Sequence, residues 1–108
     1  MKYLYRIVFA CLALHVMATS VLSQKGVVAY RVASCDFFVV YMEKTDDYVL
    51  AEWYGGYDPE KGDVVYGSFG SYGLKEVNYL RSSKGKLYIE EYGLDKGDAL
   101  EKLYESCE

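Results

Sequence analysis

The residues with the clearest binding chemistry in this chain are three aromatics grouped around two glycines, in the segment Trp53-Tyr54-Gly55-Gly56-Tyr57. Indole and phenol rings beside a flexible loop bind sugar rings or peptide side chains by stacking, and their polar atoms add hydrogen bonds. The alternative is that Trp53, the only tryptophan, belongs to the core of a small β domain. The sequence therefore predicts Trp53, Tyr54 and Tyr57 as ligand-binding residues and leaves that alternative open.

Carboxylates in predicted strands offer a second kind of chemistry. Glu52, Glu90 and Glu91 are the residues concerned, and two carboxylates held at a fixed separation can hydrolyse a glycosidic bond. The alternative is that they face solvent, as strand glutamates usually do. A carboxylate-based hydrolase is therefore the second functional hypothesis, and no residue is assigned a catalytic role.

A third group of side chains raises the question of a metal site. Asp58, Glu60 and Asp63 place three acids in six residues, with Pro59 and Gly62 between them. A calcium loop of the EF-hand type needs alternate oxygen ligands and a central glycine, and this spacing supplies neither. Asp-Pro and Lys-Gly-Asp are ordinary turn sequences. We predict a turn here and no metal.

The glycines at 67, 70 and 73 are three residues apart but do not form a phosphate loop. Neither a Lys-Ser/Thr pair nor a helix follows them. Glycines in this pattern are typical of a bulge or bend that lets a sheet curl. We therefore expect no cofactor.

The first 23 residues have the layout of a secretory signal peptide. Lys2 and Arg6 precede an apolar run, and Val21 and Ser23 are small residues that suit cleavage after Ser23. The alternative, a membrane anchor, would need a run of about 20 apolar residues, and this run is shorter. We expect a secreted or periplasmic protein of residues 24–108 that has no membrane partner after cleavage.

Removal of residues 1–23 would change both the charge and the chemistry. The chain has 12 Lys and Arg and 16 Asp and Glu; Lys2 and Arg6 lie in the leader, which leaves 10 basic and 16 acidic residues and a net charge of −6. A nucleic acid needs a basic surface, so we expect no such partner. The only histidine, His15, would also be lost, which excludes histidine bases, histidine metal ligands and Ser-His-Asp catalysis.

Two cysteines remain in residues 24–108, Cys35 and Cys107. In an oxidising compartment, an even number of cysteines in a short chain indicates a disulfide. A free pair of thiols, or a two-cysteine metal site, is the alternative. A small domain has a limited hydrophobic core, so a disulfide that closes a long loop would matter for its stability.

The rest of the sequence predicts one β-rich domain over residues 24–108. Short apolar or alternating runs are separated by turn residues at regular spacing, as in a small barrel or sandwich. In the third run, Val49, Ala51 and Trp53 share one face and Leu50, Glu52 and Tyr54 share the other. The predicted strands are 27–33, 37–42, 48–54, 63–69, 74–80 and 86–92, with loops at 55–62 and 82–85.

The end of the chain changes to a helical period. Leu100, Leu103, Tyr104 and Cys107 stand at i, i+3, i+4 and i+7, which is one face of a helix. Asp98 with Glu101 fits a capping box, and Asp95 is an alternative cap. Cys107 lies on the apolar stripe, so we expect its sulfur to face the sheet and meet Cys35.

One pattern resembles a known group of proteins. Trp53-Tyr54-Gly55-Gly56-Tyr57-Asp58-Pro59, followed by Gly62-Asp63-Val64-Val65-Tyr66-Gly67, is similar to a pattern in small secreted bacterial β-rich proteins to which no activity is attached. The resemblance covers roughly residues 47–94 and carries no catalytic residues with it. The strand count and terminal helix are also similar to OB-like and SH3-like small barrels, which implies a fold and not a function.

Together these observations predict a mainly β fold: five or six antiparallel strands in a small barrel or sandwich, a C-terminal helix and one disulfide. The first functional hypothesis is a non-catalytic binding or accessory module whose aromatic loop binds a glycan or another exported protein. The hydrolase is one alternative. The other is a protein inhibitor that presents the loop at 55–62 to an enzyme.

Overall fold

A computed structural model describes residues 23–80 and 83–108. The predicted signal peptide lies outside these residues except for Ser23, and so does Ser82 of the predicted turn at 82–85. Six strands and one helix make up the described chain. They are β1 (Gln24–Arg31), β2 (Phe37–Met42), β3 (Asp47–Gly56), β4 (Val64–Gly67), β5 (Gly73–Tyr79), β6 (Ser83–Leu94) and α1 (Lys96–Ser106).

The six strands form a closed antiparallel barrel in the order β1-β2-β3-β6-β5-β4, with β4 pairing back to β1. This confirms the predicted fold class and decides for a barrel over a sandwich. Each half of the chain forms a three-stranded meander, and the β3–β6 and β1–β4 pairs join the two meanders. Every strand therefore has two neighbours, and the barrel has no unpaired edge strand.

Irregular pairing of β3 with β6 helps to bend the barrel. The register shifts three times between Tyr48 and Gly55, and such bulges increase local twist. At the far end, Gly56 has φ +72°, and a Cβ there would lie 2.6 Å from the carbonyl oxygen of Lys84. Only glycine allows this approach. Strand β3 therefore continues to Gly56, and the loop predicted at 55–62 begins two residues later than expected. On the partner strand, Ser83 to Gly85 were expected in a turn but belong to β6.

The interior of the barrel is filled by side chains from all six strands and from the β4–β5 connection. Val49 and Ala51 of β3 point inward as predicted, and Leu50 points outward. No polar or charged residue in the described segments is fully buried. The buried set is Val28, Phe38, Val40, Met42, Val49, Ala51, Val65, Phe69, Val77, Tyr79, Leu87 and Ile89.

Helix α1 covers part of the outside of the barrel. Ala99 and Leu103 pack against Val39 of β2 and Leu50 of β3, and all four side chains are buried. The stripe predicted from periodicity is rotated, because Tyr104 is 60 % exposed and the buried position one turn before Leu103 is Ala99. A small residue at position 99 lets the helix approach the strands closely.

Helix α1 begins earlier than the capping box of Asp98 and Glu101 predicted. Asp95, the alternative, is the N-cap, and its Oδ1 accepts a hydrogen bond of 2.8 Å from the backbone N–H of Asp98. Asp98 lies in the first turn of α1, where its carboxylate is favoured by the positive end of the helix dipole.

The predicted disulfide is present. The sulfur atoms of Cys35 and Cys107 lie 1.98 Å apart, with 5.5 Å between the Cα atoms and a sequence separation of 72. Cys35 follows β1, and Cys107 follows α1 directly. The bond therefore ties the end of the helix to the β1–β2 connection. No helix of the described segments has the length and apolarity needed to span a membrane.

Candidate functional site

Trp53 closes one end of the barrel. It follows Val49 and Ala51 on the inward side of β3, and its half-buried ring packs against the barrel core. Its indole Nε1 donates a 3.1 Å hydrogen bond to the carbonyl oxygen of Tyr57, and its backbone N–H donates to the carbonyl of Asp36 at 2.8 Å. The Trp53 ring therefore packs against the core, as the alternative to a ligand-binding role expected, and its Nε1 is bonded to the segment that follows β3.

Tyr54 lies on the opposite side of β3. Its side chain is 56 % exposed, and its ring stacks on Tyr88 of β6 with 5.8 Å between centroids and 29° between planes. Successive residues of a strand point to opposite faces of the sheet. Trp53 and Tyr54 therefore cannot contribute to one flat aromatic platform, although they are adjacent in sequence.

Tyr57 lies at the same barrel end as Trp53. Its ring packs on the buried ring of Tyr79 with 4.9 Å between centroids, and its hydroxyl donates to Asp63 Oδ2 at 2.7 Å. Burial and the carboxylate of Asp63 raise the pKa of the Tyr79 phenol well above its usual range. Tyr57 is 37 % exposed, and its contacts hold the segment after β3 against the barrel.

Two of the three acids in the segment 58–63, Asp58 and Asp63, bond to protein groups through their carboxylates. Asp58 Oδ1 lies 2.8 Å from a guanidinium nitrogen of Arg31, and Asp63 Oδ2 also accepts from the backbone N–H of Glu60 at 2.8 Å. Pro59 between them is buried. Within the described segments no three His, Cys, Asp or Glu residues are grouped so that they could hold a metal ion.

A cluster of exposed apolar side chains covers the outer side of β3, β6 and β5. Tyr88 lies between the inward-facing Leu87 and Ile89, so it points outward, and Leu74 of β5 is its direct partner. Leu74 is 55 % exposed, and the Tyr54 ring stacks on Tyr88 from the other side. We call Tyr54, Leu74 and Tyr88 the tyrosine face.

A second tyrosine pair lies further along β6, beyond Glu90. Tyr72 precedes β5, Tyr92 lies four residues after Tyr88, and their ring centroids are 4.9 Å apart. Tyr72 is 63 % exposed and Tyr92 39 %. Large apolar side chains are commonly exposed one at a time, but contiguous groups mark interaction sites.

Charges border the tyrosine face at both ends. Glu52 pairs directly with Tyr88 across the β3–β6 ladder, and Glu90 follows Tyr88 by two residues. Partial burial, together with the carboxylates of Glu90 and Asp36, raises the pKa of Glu52. At the other end, Lys84 and Lys86 of β6 line a groove with Tyr54 and the backbone of Gly55 and Gly56. Glu76 lines the same groove and pairs directly with Lys86, so this end carries both signs of charge, whereas the other end is acidic.

Of the three predicted site residues, the structure thus places Tyr54 on an exposed aromatic surface and holds Trp53 and Tyr57 against the barrel end. Prediction from sequence missed Leu74 and Tyr88 as partners of Tyr54. The alternation of Tyr88, Glu90 and Tyr92 with Leu87 and Ile89 was a usable signal for their exposure. The pairing of β6 with β3 had no such signal, because those strands are distant in sequence.

Comparison with known proteins adds no constraint: the chain matches no protein-family model, no curated protein and no solved structure.

Proposed function

We propose that this protein is a non-catalytic binding module whose ligand lies on the tyrosine face. The observation that carries the proposal is the contact between Tyr54 and Tyr88, two outward-facing rings on neighbouring strands, with Leu74 beside them. The two stacked rings, with the side chain of the cross-strand neighbour Leu74, provide stacking area on a convex surface for a sugar ring or a peptide side chain. Trp53 and Tyr57 then act indirectly, by fixing the end of β3 that carries Tyr54.

Exchange of both stacked rings tests this function. The variant Tyr54→Ser/Tyr88→Ser and the wild type are applied to a glycan array and to a peptide array. We expect wild-type binders whose signal falls at least about tenfold in the double variant, since each stacked ring contributes on the order of 1 kcal/mol. Tyr104→Ser, which changes an exposed tyrosine on α1, is the matched control. Binders that ignore the double variant, or arrays without a tyrosine-dependent binder, would contradict the proposal.

A carboxylate-based hydrolase is a second candidate. The raised pKa of Glu52 beside Glu90 is a property that a general acid uses. We rank it lower because both glutamates lie on the convex outside of the barrel. Glu52→Gln should abolish turnover and leave binding unchanged if this candidate is right. Presentation of the segment at 55–62 to an enzyme stays a prediction, and a tight one-to-one complex with a secreted enzyme would support it.

We also propose that the module works outside the cytoplasm. The disulfide is compatible with an oxidising compartment, and the first 23 residues have the composition of an export signal. The intact mass of the protein recovered from the periplasm or the medium tests this. We expect a mass that corresponds to a chain beginning at Gln24. A protein that stays in the cytoplasm and retains Met1 would contradict the proposal.

A further inference from the structure

The acidic end of the tyrosine face carries charge that the described protein groups do not neutralise. Among those residues, the ion pairs within 4.0 Å join Arg31 to Asp58 and Lys102 to Glu91. Neither Glu52 nor Glu90 has such a partner. Glu90 also lines a groove between β6 and α1 together with Glu91 and Glu105.

Among the described residues that line this groove, the one cation, Lys102, is already engaged. Lys102 Nζ lies 2.9 Å from Glu91 Oε2, which raises the pKa of Lys102. Its charge is therefore directed at Glu91. Glu52, the cross-strand partner of Tyr88, and Glu90 therefore keep carboxylates that a ligand on Tyr88 can contact.

We propose that the tyrosine face binds an extended segment of another polypeptide that carries lysine or arginine, with its cationic groups over Glu52 and Glu90 and its apolar groups on Tyr54, Leu74 and Tyr88. This rests on the proposed function and names the partner of the same surface. A cation beside tyrosine rings gains from the ring faces as well as from the carboxylates. Complementary charge also speeds association and selects among partners.

Unpaired charge selects the occupant of the tyrosine face. Glu52 and Glu90 have no basic partner within 4.0 Å among the described residues, so a cationic segment gains from them without displacing an existing ion pair. A two-fold pair of chains would set these carboxylates either against themselves or against Lys84 and Lys86 of the other copy, so a second copy is an outcome of the test. A partner cannot add a strand, because every strand of the closed barrel already has two neighbours. Side chains must therefore provide the recognition.

The test uses peptides of about eight arginines or eight lysines as probes, with titration calorimetry for affinity and amide chemical shifts for location. Glu52→Gln/Glu90→Gln removes two charges at the face. Glu43→Gln/Glu60→Gln removes two exposed charges elsewhere and is the matched control. We expect about a fivefold to tenfold weaker affinity in the first variant, less than about twofold in the control, and shifts confined to β3, β5 and β6. Equal losses in both variants would overturn the proposal, since they would report net charge alone.

Two further outcomes separate this proposal from the function on which it rests. If array binders depend on Tyr54 and Tyr88 but are neutral glycans unaffected by Glu52→Gln/Glu90→Gln, the cationic partner is wrong and the binding module stands. If the arginine peptide binds the variant Tyr54→Ser/Tyr88→Ser as tightly as it binds the wild type, the tyrosine face is not the binding surface. A dimer in sedimentation that dissociates on Tyr88→Ser would assign the face to a second copy and overturn the proposal.

Discussion

The outer surface of the barrel has two sides that differ in what covers them. On one side, α1 buries Val39 and Leu50 beneath Ala99 and Leu103. On the other, Tyr54 stacks on the half-buried Tyr88, Leu74 is the cross-strand partner of Tyr88, and both Tyr54 and Leu74 are exposed to solvent. The same strand, β3, contributes Leu50 to the first side and Tyr54 to the second, four residues apart.

The residue types on the two sides match this difference. The side chains of Val39 and Leu50 have no polar atoms, so their exposure to water would lose the free energy gained by burying them. A tyrosine keeps its hydroxyl in water while its ring offers an apolar face. The helix side is therefore built for permanent burial, and the tyrosine face tolerates water while retaining area for a partner.

The largest effect is expected from removing the tether of α1. Cys35→Ser/Cys107→Ser should lower the free energy of unfolding by about 4 kcal/mol, because the bond closes a loop with a sequence separation of 72. Urea unfolding of the wild type with and without reductant provides the comparison, and reduced wild type should match the variant. Equal stability of all three proteins would show that packing alone holds α1.

Truncation of one leucine on each side compares the two surfaces directly. Leu103→Ala should cost about 2–4 kcal/mol, because Leu103 is buried against the barrel. Leu74→Ala should cost less than about 1 kcal/mol, because Leu74 is largely exposed. Thermal or urea unfolding of both variants measures the difference. Similar costs for the two would mean that the tyrosine face is a structural surface.

Alkaline pH tests the burial of the Tyr79 phenol inside the barrel. The raised pKa of Tyr79 means that its neutral form is favoured in the folded state. Its contribution is complete below the ordinary phenol pKa of about 10 and is lost above it, by up to about 1.4 kcal/mol per pH unit. Tyr79→Phe should reduce this loss between about pH 10 and 11, as measured by urea unfolding at each pH. An unchanged pH slope in Tyr79→Phe would contradict the burial of that phenol.

The smallest effect on stability is expected at the tyrosine face itself. Tyr54→Ser should cost about 0.5–1 kcal/mol, since it removes one cross-strand stack with Tyr88. The emission of Trp53, the only tryptophan, reports whether the barrel end is preserved. We expect blue-shifted emission that acrylamide quenches only partly, in both the wild type and this variant. A red shift in the variant would mean that Tyr54 and Trp53 are structurally coupled.

Much of the fold was accessible to prediction because the signals are local. Alternation along β3 separated Val49 and Ala51 from Leu50 and Tyr54, and the structure confirms that separation. The presence of two cysteines in residues 24–108 predicted the pairing of Cys35 with Cys107, which the structure confirms. The cap was less well predicted, because Asp95 and Asp98 each satisfy the local pattern and only the position of α1 on the barrel selects between them.

The candidate site was less accessible, and the reason is physical. Adjacency in sequence grouped Trp53 with Tyr54, but a strand sends successive side chains to opposite faces. The partners of Tyr54 are Tyr88, through the β3–β6 ladder, and beyond it Leu74, through the β5–β6 ladder. The sequence alone determined which residues alternate, which are charged and which cysteines pair. Only the tertiary structure decided which strands become neighbours and which outer side α1 covers, because both depend on packing between segments far apart in the chain.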